Sequence, residues 1–236
     1  MTGGATTSGA GGRPWLLAID TGTSRIVVAA GAPDGRLVRA LDWPAGHRHG
    51  ERLLPGVEQL LAETGLALAD LAAVVVGTGP GAFTGLRVGL ATAKTLAHAR
   101  GLPIVGIGTG AALLGAAEAL KAPAGELVLL LPAGPHDRVE VRPRGEARLL
   151  PGGSEPDLGP ADVVVAVDLA GRAPDAAVAR GERALAGLAA ALVGLGARRL
   201  AAGATDDPSG LVPEYVSLPR GVRATGGEIE WSHGPR

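Results

Sequence analysis

Trp15-Leu-Leu-Ala-Ile-Asp-Thr-Gly-Thr-Ser-Arg-Ile-Val-Val-Ala-Ala30 holds two short apolar runs separated by a polar turn. Runs of this length, bounded by Asp, Gly and Ser, read as strands joined by a tight turn. Pro33-Asp34-Gly35 supplies a second turn, and Arg36–Leu41 alternates enough for a third strand. The start of the chain is therefore expected to be an antiparallel meander. Working outward, Glu51–Thr64 places Leu53, Leu54, Val57, Leu60 and Leu61 at helical spacing, with Pro55 tolerable only in the first turn. Gly65 can cap that helix at its C-terminus.

Leu71–Val76 reads as a buried strand followed by Gly77-Thr-Gly-Pro-Gly81. Thr84 is the expected N-cap of a helix running to Arg100, with Gly101 behind it. A strand at Ile104–Ile107 and a helix at Thr109–Leu120 complete the order βββαβα, then βα. Further on, strands are expected at Leu127–Leu131, Val139–Arg142 and Val163–Val167. An Ala-rich helix follows from Pro174 to Ala202, with a break near Gly194-Leu195-Gly196, and the Gly/Pro-rich tail after Pro208 wraps the surface. Strands alternating with helices give an α/β fold.

Composition narrows the function. The 236 residues are 46% apolar, with no run of 18 uninterrupted apolar residues, which argues for a globular chain without a membrane span. Met1–Gly12 has neither a basic start nor an apolar block, so it reads as a leader without targeting function, and the cytoplasm is the expected compartment. There are no cysteines, which removes disulfides, thiolate metal sites and Cys nucleophiles. A net charge of −1 offers no global field for a polyanion, and three Trp, one Tyr and one Phe are too few for base-stacking platforms. Lys94 and Lys121 are the only lysines, and Gln59 is the only amide side chain; a hot habitat and a GC-rich genome explain this bias equally well.

Two loops could carry chemistry. Asp20-Thr21-Gly22-Thr23-Ser24 joins hydroxyls, a glycine and a carboxylate in one turn, which can cradle phosphate and hold Mg2+ through water. Gly77–Gly85, with Gly79 and Gly81, can point backbone N–H groups and a helix start at an anion. It is no Walker loop, and the match of Gly77, Gly79 and Ala82 to a dinucleotide fingerprint is weak. An ordinary polar turn remains the bland alternative. Gly85, Gly89, Ala93 and Ala97 recur every four residues and form a groove of small side chains. Two interior glycines cost about 1 kcal/mol each, which a closely packed partner would offset. That partner is either internal, such as the Glu51–Thr64 helix, or a second chain. The histidines form no HExxH or HxxxH pair, and no GxSxG occurs, so metal hydrolysis and Ser/His/Asp catalysis have no constellation.

Leu17-Ala-Ile-Asp-Thr-Gly-Thr, Arg48-His-Gly-Glu-Arg-Leu-Leu-Pro and above all Val76-Gly-Thr-Gly-Pro-Gly-Ala-Phe-Thr-Gly-Leu-Arg-Val-Gly-Leu-Ala-Thr-Ala-Lys resemble the TsaB (YeaZ) family. The resemblance is strong over Leu16–Gly108 and returns in Pro213-Glu-Tyr and Glu228-Ile-Glu-Trp-Ser-His. It implies a two-lobed actin/sugar-kinase/Hsp70-like (ASKHA) fold: a tail at 1–12, a first lobe at 13–108, a smaller divergent lobe at 109–220 and a tail at 221–236. It also implies a non-catalytic scaffold. Such a subunit pairs with the catalytic paralogue TsaD and works with the ATPase TsaE. Together they transfer threonylcarbamoyl to N6 of adenosine 37 in tRNAs reading ANN codons. tRNA would be met only through the complex, and the chain alone would form a homodimer.

Asp20, Thr21, Gly22, Thr23, Gly79 and Gly81 would be vestigial phosphate loops. No cofactor is implied for the chain alone, and ATP with Mg2+ is a candidate in the complex. In the family, the first two helices form the heterodimer surface, which here points to Leu53, Leu54, Val57, Leu61, Gly85, Leu86, Gly89 and Ala93. Where the catalytic relative carries HxxxH, this chain reads Ile104-Val-Gly-Ile-Gly-Thr-Gly-Ala-Ala-Leu-Leu, with no ligand. Departures are Leu131-Pro-Ala-Gly-Pro-His-Asp-Arg, Tyr215-Val-Ser and His49-Gly50. The rival from another class is an ATP-dependent small-molecule kinase or ATPase using Asp20 and Thr23.

Overall fold

A computed structural model describes residues 13–46, 49–118 and 125–216. The expected leader, Arg48 and the Glu228–His233 motif lie outside the described residues. The meander forms as the turn chemistry dictates: β1 (Trp15–Asp20), β2 (Arg25–Gly31) and β3 (Leu37–Pro44) pair antiparallel, with Ala18 opposite Ala29 and Val28 opposite Leu41. β4 (Leu71–Gly79) lies parallel to β1, and β5 (Ile104–Gly108) lies parallel to β4. The sheet order is therefore β3-β2-β1-β4-β5. A parallel strand buried on both faces needs a near-continuous apolar run, and β1 is buried at all six positions.

Period-two alternation sends successive residues of the strand to opposite faces of the sheet. Leu17 and Ile19 join Val28 and Val74 beneath α1 (His49–Thr64) and α2 (Phe83–Arg100), where Leu53, Val57, Leu60, Leu90 and Ala93 pack. Ala18 joins Val27, Ala29 and Val75 on the opposite face, beneath α3 (Thr109–Ala117) and α4 (Asp175–Ala201). The second sheet has the order β8-β7-β6-β9, from β6 (Leu127–Ala133), β7 (Asp137–Val141), β8 (Arg148–Leu150) and β9 (Val163–Ala166). Its Leu127, Leu129, Val139 and Val165 enter the same cluster as Ala18 and Val75, so the two sheets share one core through α3 and α4. The divergent stretch after Leu131 is the β6–β7 hairpin, with Gly134 at φ 86° in the turn.

Several expectations need correction. α1 begins at His49, so Pro55 lies inside the helix beyond its first turn. Thr84 does not cap α2. The helix begins at Phe83 with Ala82 at the cap, because the Ala82 N–H is held by the Gly22 carbonyl and Leu86 N–H already bonds Ala82. α3 ends at Ala117, short of Leu120, which lies outside the described residues. α4 does not break at Gly194–Gly196. The space a Gly196 side chain would need is filled by Val75, so glycine there brings the helix down onto the sheet. β8 was not legible as a strand; it is three residues long and pairs only with β7.

By length and composition α4 could cross a membrane. Its Ala184, Leu188, Leu192 and Val193 are buried instead in the shared core, which is the environment of a central helix in a globular chain. The two left-handed caps expected at Gly65 (φ 68°) and Gly101 (φ 60°) are both present. Gly65 N–H reaches Leu61 C=O, and Gly101 N–H reaches His98 C=O.

Candidate functional site

The β1–β2 turn and the β4–α2 loop meet, as their shared role would require, but they meet face to face. Asp20 ends β1 with no exposed surface. Its Oδ1 accepts the Gly22 N–H at 2.8 Å, and its Oδ2 accepts the Thr109 hydroxyl at 2.6 Å. Thr109 Oγ1 in turn accepts the Gly79 N–H at 3.1 Å. Gly77 is glycine because Asp20 Oδ2 occupies the place of its side chain. Burial pushes the Asp20 carboxyl up to about 6, and the Thr109 and Gly22 hydrogen bonds oppose part of that rise.

The remaining turn residues are satisfied in the same inward way. The Thr21 hydroxyl donates to Gly85 C=O at 2.7 Å and sits where a Gly89 side chain would start. Gly22 C=O accepts the Ala82 N–H at 2.7 Å, and the Gly22 backbone fills the place of a Gly81 side chain. Leu86 lies across Gly22 and Gly79, 3.0 Å from where each would carry a Cβ. The Thr23 hydroxyl donates to Arg25 C=O at 3.3 Å. The two loops are thus brought together, with the Gly22 backbone touching Gly81 and Ala82.

Two clefts open beside this packed centre. One, of about 420 Å³, runs between Gly22, Thr23, Gly81 and Ala82 on the first lobe and Pro132 and Asp168 on the second. The other, of about 1160 Å³, is floored by Gly108, Ala111 and Gly115 and walled by Arg142, Arg148 and Tyr215. Among the described residues no group of three His, Asp or Glu side chains is placed to hold a metal.

The C-terminal segment returns to the first lobe. Asp206 takes the Gly106 N–H at 2.7 Å and pairs with Arg199, while the Glu214 N–H reaches Thr78 C=O at 2.7 Å. Tyr215 then stacks on Phe83 with centroids 4.9 Å apart, and Arg87 lies 4.0 Å over the Phe83 ring with Nε donating to the Tyr215 hydroxyl at 3.0 Å. The chain's single Phe and single Tyr are therefore used to tie down its tail.

Comparisons with known proteins fit this architecture. The profile of the family described as "TsaD: tRNA N6-adenosine threonylcarbamoyltransferase" matches residues 44–167. YeaZ from Pseudomonas aeruginosa superposes with a TM-score of 0.66 at 25% identity, covering 86% of this chain and 99% of that one. The chain belongs to this family, in its TsaB (YeaZ) branch. Its fold is accordingly the two-lobed ASKHA type. The TsaB protein of Escherichia coli is 40% identical over 94 residues, 40% of each chain. An uncharacterized protein of Mycobacterium tuberculosis is 44% identical over 93 residues, 39% of this chain and 44% of that one. The matched part of this chain thus spans less than half the length of these curated relatives.

In this TsaB-branch chain the residues singled out as a partner surface divide sharply. Leu53, Val57, Gly85, Leu86, Gly89 and Ala93 are buried within the chain itself, under the first sheet's own helices and the Thr21–Gly22 turn. The partner of the small-residue groove is therefore internal. Gly85 and Gly89 rest on the β1–β2 turn through Thr21, and Ala93 and Ala97 share a cluster with Leu53, Val57 and Leu60 of the Glu51–Thr64 helix. Leu54 is 50% exposed, while Leu61 is half-buried against the core, so Leu54 alone of the eight is exposed.

Sequence reasoning missed Thr109 as a partner of Asp20, and it missed Asp168. A signal for Asp168 exists. An apolar run ends in Ala166-Val167-Asp168 as one ends in Ala18-Ile19-Asp20, although Asp20 closes β1 and Asp168 lies two residues beyond β9.

Proposed function

We propose that the chain is a non-catalytic scaffold subunit of the machinery that forms threonylcarbamoyladenosine at position 37 of tRNAs reading ANN codons. It would stabilise the catalytic paralogue TsaD and help to seat the ATPase TsaE, in the cytoplasm where tRNA is modified. One observation carries this reading: Ala82 N–H sits on Gly22 C=O at 2.7 Å, so the two would-be phosphate loops spend their groups on each other. A loop whose donors and acceptors are already paired supports a fold and offers a phosphate little. Against the rival kinase or ATPase reading, both Asp20 carboxylate oxygens are engaged by Thr109 and Gly22.

The partner surface follows from what the helices leave outside. Leu54 on α1 and Ala91 on α2 are exposed, while Leu61 and Val88 are half-buried against the core. An exposed leucine on a helix suits packing with a second chain, and the same face would pair two copies when the chain is alone. Leu54→Glu is expected to lower affinity for the catalytic paralogue by about 30-fold, or about 2 kcal/mol, in titration calorimetry. The thermal midpoint should stay put, because Leu54 is half in water already. Undiminished affinity in a folded variant would remove this face from the interface.

A further inference from the structure

We infer that Asp168 is an anion built into the chain, filling the outward-facing donors of the β1–β2 turn and latching the second sheet to the first. The turn spends its Thr21 hydroxyl on Gly85, its Gly22 N–H on Asp20 and its Thr23 hydroxyl on Arg25. Ser24 is different. Its N–H donates to Asp168 Oδ2 at 2.6 Å, and its hydroxyl donates to Asp168 Oδ1. Two donors from one residue converge on both oxygens of one carboxylate, the arrangement by which backbone turns and hydroxyls hold oxyanions.

The backbone at Asp168 supports a dedicated role. Its φ of 57° is the one positive value at a non-glycine among the described residues. Glycine adopts this conformation freely, whereas side chains other than those of Asn and Asp rarely do. With this backbone the carboxylate comes off the end of β9 and crosses to the first lobe. Among the described residues, its two bonds are the hydrogen-bonded link between residues 13–108 and 125–170. Ser24 and Asp168 also line both the 420 Å³ cleft and a neighbouring hollow of about 460 Å³, so together they form the wall between the two. Arg25, paired with Asp42, and Glu182 face the second hollow, and they are the charged groups that an incoming anion would meet.

The carboxylate therefore stands where a phosphate-class anion would bind, and such an anion binds only once Asp168 is gone. The test uses the full chain and its Asp168→Gly and Asp168→Asn variants, read by amide hydrogen exchange and by NMR titration with inorganic phosphate. Protection of the Ser24 amide is expected to fall about tenfold or more in Asp168→Gly, and less in Asp168→Asn, whose carbonyl keeps one bond. Amides of β1 and β4 should hold their protection, which separates latch release from loss of fold. Phosphate should then shift the Ser24 resonance and restore its protection in Asp168→Gly, but not in the wild type. Unchanged Ser24 protection in both variants would overturn the latch. Lost protection without a phosphate response in Asp168→Gly would overturn the built-in anion and leave a plain strut.

Discussion

Gly89→Leu is expected to destabilise the chain by about 3 kcal/mol, seen as a lower urea midpoint with an unchanged slope. Leucine is the better helix former by about 0.8 kcal/mol, so propensity alone would stabilise α2. Packing reverses the sign. The position of a Gly89 side chain is taken by Thr21, whose hydroxyl is fixed on Gly85 C=O at 2.7 Å. An isobutyl group there must push α2 off the turn, which costs about 1–3 kcal/mol for overpacking. It also leaves the Thr21 hydroxyl buried and unpaired, at about 1–3 kcal/mol more. Lost partner binding in this variant would then report a damaged fold, so Leu54 is the residue with which to probe the interface. A midpoint equal to wild type would mean that α2 does not rest on Thr21.

The second large effect is the pH dependence that Asp20 contributes. Burial raises its carboxyl from the ordinary 3.8 to about 6, so the folded chain holds that proton more tightly than the unfolded chain does. Stability tied to the proton is complete below pH 3.8. It falls as the unfolded state ionises, and it is gone once the pH has risen through the folded value near 6. The span corresponds to about 3 kcal/mol. Asp20→Asn cannot titrate, so the stability of wild type relative to this variant should drop by about that amount between pH 4 and pH 7. Urea unfolding of both proteins across that range measures it. A constant difference would mean that Asp20 is solvated, which would return it to the list of groups able to meet a ligand.

The local half of the fold was legible in the sequence. The Asp20–Ser24 and Pro33–Gly35 turns, the apolar runs they separate, and the Gly65 and Gly101 caps all act through neighbours a few residues away. Misreadings arose where a residue's partner is distant. Gly85 and Gly89 announce that something approaches α2 closely, yet nothing in their spacing says that it is Thr21, reached by a bond spanning 64 residues. Gly196 carries the same ambiguity, because a helix glycine marks either a break or a contact, and Val75 decides for contact. The candidate loops were found residue by residue, whereas their mutual closure depends on Ala82 meeting Gly22 and Asp20 meeting Thr109. The Phe83–Arg87–Tyr215 cluster was equally hidden, since counting aromatics does not show that the lone Phe and the lone Tyr converge.

The most direct test of the scaffold role is reconstitution of threonylcarbamoyl transfer onto a tRNA reading ANN codons. Purified catalytic paralogue, the ATPase partner, ATP and threonylcarbamoyl donor are combined with and without the full chain. Modified tRNA is expected to accumulate only when the chain is present, and the Asp20→Asn chain should serve as well as wild type. Equal product without the chain, or a product that vanishes with Asp20→Asn while the protein remains folded, would contradict a non-catalytic scaffold.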